Sequence, residues 1–145
     1  MAVIEQAKVR GGAQMKPMTS RRVKELRTPG EAISEAQLQQ AIIELAHTLG
    51  WEKVAHFRPA LMKVHGALVY RTPVAADGKG FFDLIMVNPR QVRIIAIECK
   101  SEKGKQSQEQ KEWEHVWREA GGEYYLWRPA DWLDESILKV LANRA

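Results

Sequence analysis

The chain has 145 residues, 45% of them hydrophobic, with a formal net charge of +4 and an isoelectric point near 9.3, which bounds it to one domain with a real core plus any tail. Its single cysteine, Cys99, excludes an internal disulfide, and no apolar run approaches the ~20 residues of a membrane span. The opening "MAVIEQAKVR" carries charge where a signal peptide needs an apolar run, so the expected setting is a reducing cytoplasm with no membrane partner.

Residues 1–30 hold seven Lys or Arg against Glu5 and Glu25, while the remainder is close to neutral. Gly11, Gly12, Pro17, Pro29 and Gly30 interrupt this stretch, and the expectation is a flexible basic segment followed by one domain over 31–145. Two readings of the segment stay open: a phosphate-attracting arm or a solvated leader.

"SEAQLQQAIIELAHTLGW" predicts a helix, with Ser34 and Gln37 as a capping box, an apolar stripe from Leu38 to Leu49, and Gly50 as the stop. Trp51 to about Met62 fits a strand that Pro59 interrupts or ends. "HGALVYRTPVAADGKG" reads as a long loop with a short strand at Ala67 to Arg71. "FFDLIMVN" and "VRIIAIECK" are strands bracketing "PRQ", a hairpin signature. "SQEQKEWEHVWREAGG" gives a helix capped by Ser107, "EYYLWRP" a strand, and "DWLDESILKVLANRA" a last helix capped by Asp131. The order α-β-β-β-α-β-α makes an α/β fold with a mixed sheet flanked by helices the expected class.

The hairpin carries the chemistry. Side chains alternate along a strand, so Ile94, Ala96, Glu98 and Lys100 share one face while Ile95, Ile97 and Cys99 share the other. If paired residues sum to 181, Asp83 lies opposite Glu98; if they sum to 179, it is diagonal to it. Either register puts both carboxylates on one face. Two carboxylates ~4 Å apart repel by about 4 kcal/mol at an effective dielectric near 20, so one protonates or a cation sits between them. Oxygen ligands of this kind suit Mg²⁺ or Mn²⁺ beside a phosphate, with Lys100 placed to assist a water. A strand-end salt bridge between Glu98 and Lys100 with Asp83 solvated is the plainer alternative.

With these residues in view, the sequence resembles the virus-type replication-repair nuclease family, VRR-NUC, of the PD-(D/E)XK superfamily, over about residues 31–132. The resemblance rests on "TPVAADGKGFFDLIMV", "IAIECKSEKGKQSQEQKEW" and "AGGEYYLWRPADW". It implies a restriction-endonuclease-like core and a Mg²⁺-dependent DNA endonuclease, with Mn²⁺ able to substitute. Asp83, Glu98, the Cys99 carbonyl and Glu35 would be metal ligands, Lys100 would serve the attacking water, and Gln110 matches the glutamine of the following helix. Glu35 also suits its helix dipole, and Gln110 also fits a capping box with Ser107. Phe82 stands where the family usually has proline, which implies altered local packing.

Lys103, Lys105, Arg71 and Lys79 are the candidate DNA contacts; Trp113, Trp117, Trp127 and Trp132 read as core. The histidines have no zinc-ligand spacing, and no glycine-rich loop carries a nucleotide-binding pattern, so no nucleotide cofactor is expected. Because little besides the nuclease domain is seen, the resemblance favours a homodimer acting on branched DNA such as a four-way junction, in a phage or prophage setting. A catalytically silent DNA-binding module and a restriction-type or flap nuclease are the competing expectations.

Overall fold

Ser34 and Gln37 start the first helix as their spacing requires: the Gln37 N–H donates to Ser34 Oγ at 3.1 Å, and the Ser34 N–H donates to Gln37 Oε1 at 2.9 Å. The computed structural model describes residues 33–144, so the basic segment expected over 1–30 lies outside the described residues. Helix α1 (Glu35–Thr48) buries Leu38, Ala41, Ile42 and Ala46 on one stripe. It is followed by β1 (Lys53–His56), β2 (Ala60–Val64), β3 (Ala67–Arg71), β4 (Leu84–Asn88), β5 (Arg93–Cys99), helix α2 (Gln108–Glu119), β6 (Glu123–Trp127) and two short helices, α3 (Pro129–Leu133) and α4 (Ser136–Leu141).

Four strands form one mixed sheet in the order β1-β4-β5-β6, antiparallel except for the parallel β5–β6 pair. Helix α2 makes the crossover that a parallel pair requires. The β4–β5 register is the one in which paired residues sum to 181, from Leu84 opposite Ile97 to Asn88 opposite Arg93. One sheet face, with Leu84, Met86, Ile95, Ile97, Cys99 and Trp127, packs against α1, α3 and α4. The other, with Phe82, Ala96 and Tyr124, lies under Trp113 and Trp117 of α2. Trp127 and Trp132 are buried core, as expected.

One sequence expectation is borne out and two are corrected. The stretch from Trp51 to Met62 is interrupted at Phe57–Pro59, as Pro59 predicted, and the chain then enters a separate β2–β3 ribbon. That ribbon turns at His65-Gly66, both with positive φ, and leaves Leu61, Leu68 and Tyr70 exposed. The strand expected over "FFDLIMVN" begins only at Leu84. The last helix is two: Glu135 takes φ 66° between them, and Asp131 is not the cap but the third helical residue, its carboxylate accepting the Arg128 N–H at 2.8 Å. Pro129, with its φ already set for the first helical position, moves the start forward.

Candidate active site

The break before β4 fixes Asp83. Phe82 and Leu84 are two residues apart yet pack on opposite sheet faces, so the chain bends at Asp83. Its backbone stays stitched to both neighbours: the Asp83 N–H donates to Ile97 O at 3.1 Å, and its carbonyl accepts from the Phe57 N–H at 2.9 Å. The carboxylate is thereby left to take the Cys99 N–H on Oδ2 at 2.8 Å. An extended residue points its N–H and C=O to the same side, so the Cys99 carbonyl faces this region too. The Cys99 side chain is fully buried in the core, and burial pushes its thiol pKa up.

Phe82, where proline was the family's usual residue, is fully buried in an aromatic cluster. Its ring lies 4.9 Å from Phe81, 5.0 Å from Trp117 and 5.5 Å from Tyr124, centroid to centroid. These are separations at which aromatic pairs attract beyond their area of contact. The substitution therefore ties the bend to α2, and both helical tryptophans serve as packing.

Glu98 projects from the second-last position of β5 under α2 and is fully buried. Its Oε2 accepts from Tyr124 Oη at 2.9 Å and from Gln106 Nε2 at 3.2 Å, while Oε1 is buried without a partner among the described residues. The sequence reading placed Asp83 and Glu98 side by side on one face. Because of the bend they instead meet across the end of the sheet, Asp83 beside α1 and Lys100, and Glu98 beneath α2.

These groups form one electrostatic unit. Burial pushes the Glu98 carboxyl above its ordinary range; the Gln106 and Tyr124 hydrogen bonds oppose this, and the Asp83 charge adds to it. Burial also raises Asp83, against the Cys99 N–H, Lys100 and Gln39. Half-buried Glu35, in the first turn of α1, is raised by burial and then by Asp83, with Lys100 opposing. Thus three carboxyls near one ammonium hold protons more tightly than usual, in each case first because burial disfavours the charged form.

The structure brings Glu35, Asp83, Glu98 and Lys100 together, and the Lys100 backbone is anchored by its N–H donating to Trp127 O at 2.9 Å. Gln110 closes the capping box with Ser107, its Oε1 accepting the Ser107 N–H at 2.9 Å, and also lines a cleft of about 540 Å³ that opens onto Asp83. Arg71 and Lys79 line the same cleft. Lys79 also pairs with Glu109 at 2.9 Å, an exposed contact that adds little to stability. Gly80, at φ 80°, lets this loop approach α2: a Cβ there would fall 2.7 Å from the Gln110 nitrogen. Trp113 Nε1 holds the loop by donating to Asp77 O at 3.0 Å.

Lys103 and Lys105 are exposed on the loop after Lys100. Arg128 gives that loop its shape, donating from Nη1 to Ser101 O at 2.6 Å and Gly104 O at 2.7 Å. Sequence reading missed Arg128, Gln106, Tyr124, Gln39 and His56. Gln39 alone had a usable signal, lying four residues from Glu35 and so on the same helix face. Its Oε1 meets His56 Nε2 at 3.0 Å, and burial followed by Arg58 lowers the His56 pKa.

Among the described residues no three His, Cys, Asp or Glu side chains come together as a ready-made cation cage. The donor set nonetheless fits an ion that takes one or two carboxylates and completes its shell with water and phosphate. The unpartnered buried Oε1 of Glu98 is the observation that carries the fit, since such an atom is costly unless something binds it. Compared with known proteins, the chain matches the family model of the VRR-NUC domain over residues 32–130. No curated protein and no solved structure gives a significant match.

Proposed function

The chain belongs to the VRR-NUC family and is a nuclease of the PD-(D/E)XK type, and from that premise we propose a Mg²⁺-dependent endonuclease for branched DNA, working as a homodimer. The unpartnered buried Oε1 of Glu98, in a carboxylate that feels the charges of Asp83 and Lys100, supports this reading most directly. Mg²⁺, or Mn²⁺ in its place, would be held by Asp83, Glu98 and the Cys99 carbonyl, with Glu35 supporting. When bound, such an ion neutralises phosphate charge and makes water a competent nucleophile near neutral pH.

The remaining roles fall to this chain's own groups. Lys100 would orient the attacking water and offset charge developing on the phosphodiester, an electrostatic role strengthened by the buried setting. Arg71 and Lys79 would hold the DNA backbone along the cleft that leads to Asp83, and Lys103 and Lys105 would hold it across the loop beyond Lys100. Gln110, at the cleft wall, would contact the phosphate next to the scissile one. Each phosphate contact carries position and affinity without reading sequence, which suits recognition of DNA shape.

One carboxylate site per chain cuts one strand. Symmetric cutting of a junction then calls for two copies, and the exposed apolar face of the β2–β3 ribbon supplies surface of the kind interface cores use. The test is cleavage of end-labelled four-way junction, flap, single-stranded and linear duplex DNA, with sedimentation of the protein at micromolar concentration. Cuts confined to branched substrates by a dimer are expected. Binding of junctions without scission would replace this reading with a silent DNA-binding module, and cuts at fixed sites in linear duplex with a restriction-type enzyme.

A further inference from the structure

Glu98 is the one fully buried charged side chain among the described residues, and its two oxygens are treated differently. Oε2 receives both the Tyr124 hydroxyl, at 2.9 Å, and the Gln106 amide, at 3.2 Å; Oε1 receives neither. The asymmetry is built from outside the metal-binding set. Tyr124 pairs with Ala96 across the parallel β5–β6 ladder, so it stands diagonally beside Glu98 on the same face. Gln106 Nε2 also lies 3.0 Å from Tyr124 Oη and 3.0 Å from Glu114 Oε1, and its two protons serve two of the three acceptors at a time.

A second layer steadies this pair. Arg118 lies over the Tyr124 ring, 5.0 Å from its centroid, and its Nε donates to Glu114 Oε2 at 3.0 Å. The hydroxyl and the amide therefore have a fixed backing, and neither is free to swing to Oε1. A carboxylate held through one oxygen by two neutral donors keeps its rotamer and retains its charge for the other oxygen.

We infer that Gln106 and Tyr124 are positioning residues of the nuclease site, holding Glu98 by Oε2 so that Oε1 is the one acceptor it offers a divalent cation. This rests on the nuclease reading above but concerns cation affinity, which is measurable without cleavage. Outer partners of metal ligands set affinity by about 10- to 100-fold.

The experiment is isothermal titration of Mn²⁺ alone into the full chain, its Tyr124→Phe and Gln106→Leu variants, and Tyr125→Phe as a control, with a thermal melt of each. Tyr125 donates to Glu123 at 2.7 Å, and its side chain lies on the opposite sheet face from Tyr124 and Glu98. Both test variants are expected to bind Mn²⁺ about 10- to 100-fold more weakly, with the control unchanged. Raising Mn²⁺ should then restore cleavage by Tyr124→Phe but not by Glu98→Gln. Should Tyr124→Phe melt too low to measure, Gln106→Leu, at a half-buried loop position, gives the same readout.

Parent-like Mn²⁺ affinity in both test variants, or no Mn²⁺ binding by the parent, overturns the inference. A parent that binds Mn²⁺, loses affinity in both variants and yet cuts no DNA sinks the nuclease reading and leaves the positioning role standing.

Discussion

The two ends of β5 are built on opposite principles. At its first residue, Arg93 donates from Nε to Glu123 Oε1 at 3.0 Å and from Nη2 to Oε2, and its Nη1 reaches Val140 O at 2.7 Å, so strand, neighbouring strand and final helix are joined through one satisfied charge. Hydrogen bonding from Arg93 holds the Glu123 carboxyl below its usual range. Five residues later the same strand presents Glu98 with an unpartnered oxygen, and burial pushes it and Asp83 upward. Matched charge ties the elements together at one end; at the other, charge is left unmatched, at the expense of stability, where a cation and a phosphate can complete it.

The largest effect expected from breaking the contrast is on cleavage. Asp83→Asn should lower the rate by at least about 100-fold, the scale of losing one preorganised charge at a reacting phosphate. The same variant should melt at or above the parent temperature without metal, because it removes an anion that partial burial disfavours. A cleavage assay paired with calorimetry measures both, and a variant that loses its fold together with its activity would contradict the contrast.

At the opposite end the pattern should invert. Arg93→Met is expected to cost about 2 kcal/mol, the scale of a charged hydrogen-bonded pair that is mostly shielded from water, while cleavage per folded molecule is unchanged. Chemical denaturation and an active-site titration separate the two quantities.

The pH dependence of stability should carry both signs. Asp83, Glu98 and Glu35 have raised pKa values in the folded state, so without metal the folded state binds more protons than the unfolded one. Stability therefore rises as pH falls from neutral into the raised carboxylate range. Glu123 is lowered, so its contribution is present above the ordinary carboxylate pKa and is lost as pH falls through its folded value. Melts in chelator from neutral to acid pH should show a rise and then a fall. Asp83→Asn with Glu98→Gln should flatten the rise, and Arg93→Met the fall.

The unmatched end of β5 was legible in the sequence, for reasons that are local, and the Arg93–Glu123 pair was not. The capping pairs Ser34–Gln37 and Ser107–Gln110 set two helix starts through contacts three residues apart, and the hairpin left two registers open, of which the sum of 181, with Arg90 and Gln91 at the turn, is the one observed. The acidic residues and Lys100 stood out against the aliphatic run of β5. The bend at Asp83 was not legible, because strand alternation offers no sign of a break that depends on where two phenylalanines and a helix pack. Gln106, Tyr124 and Arg128 act through partners brought in by folding, and nothing in their own neighbourhoods marks them as donors. The split of the last helix turns on Glu135 adopting a left-handed conformation that its side chain does not favour.

The smallest effect sharpens the picture of the hairpin itself. Val92 is 90% exposed at φ 54°, a conformation that crowds a β-branched residue. Val92→Asn should stabilise the chain by about 1 kcal/mol without changing cleavage, since the turn belongs to the structural end of β5. Equilibrium denaturation reads this directly.

The most direct test of the central claim is cleavage of a four-way junction by the parent and by Lys100→Ala, each with Mg²⁺ and with chelator. Scission by the parent in Mg²⁺ alone, lost in the variant at equal melting temperature and equal junction affinity, is the predicted result. Undiminished cutting by Lys100→Ala, or cutting by the parent in chelator, would contradict the assignment of the unmatched end of β5 as the nuclease site.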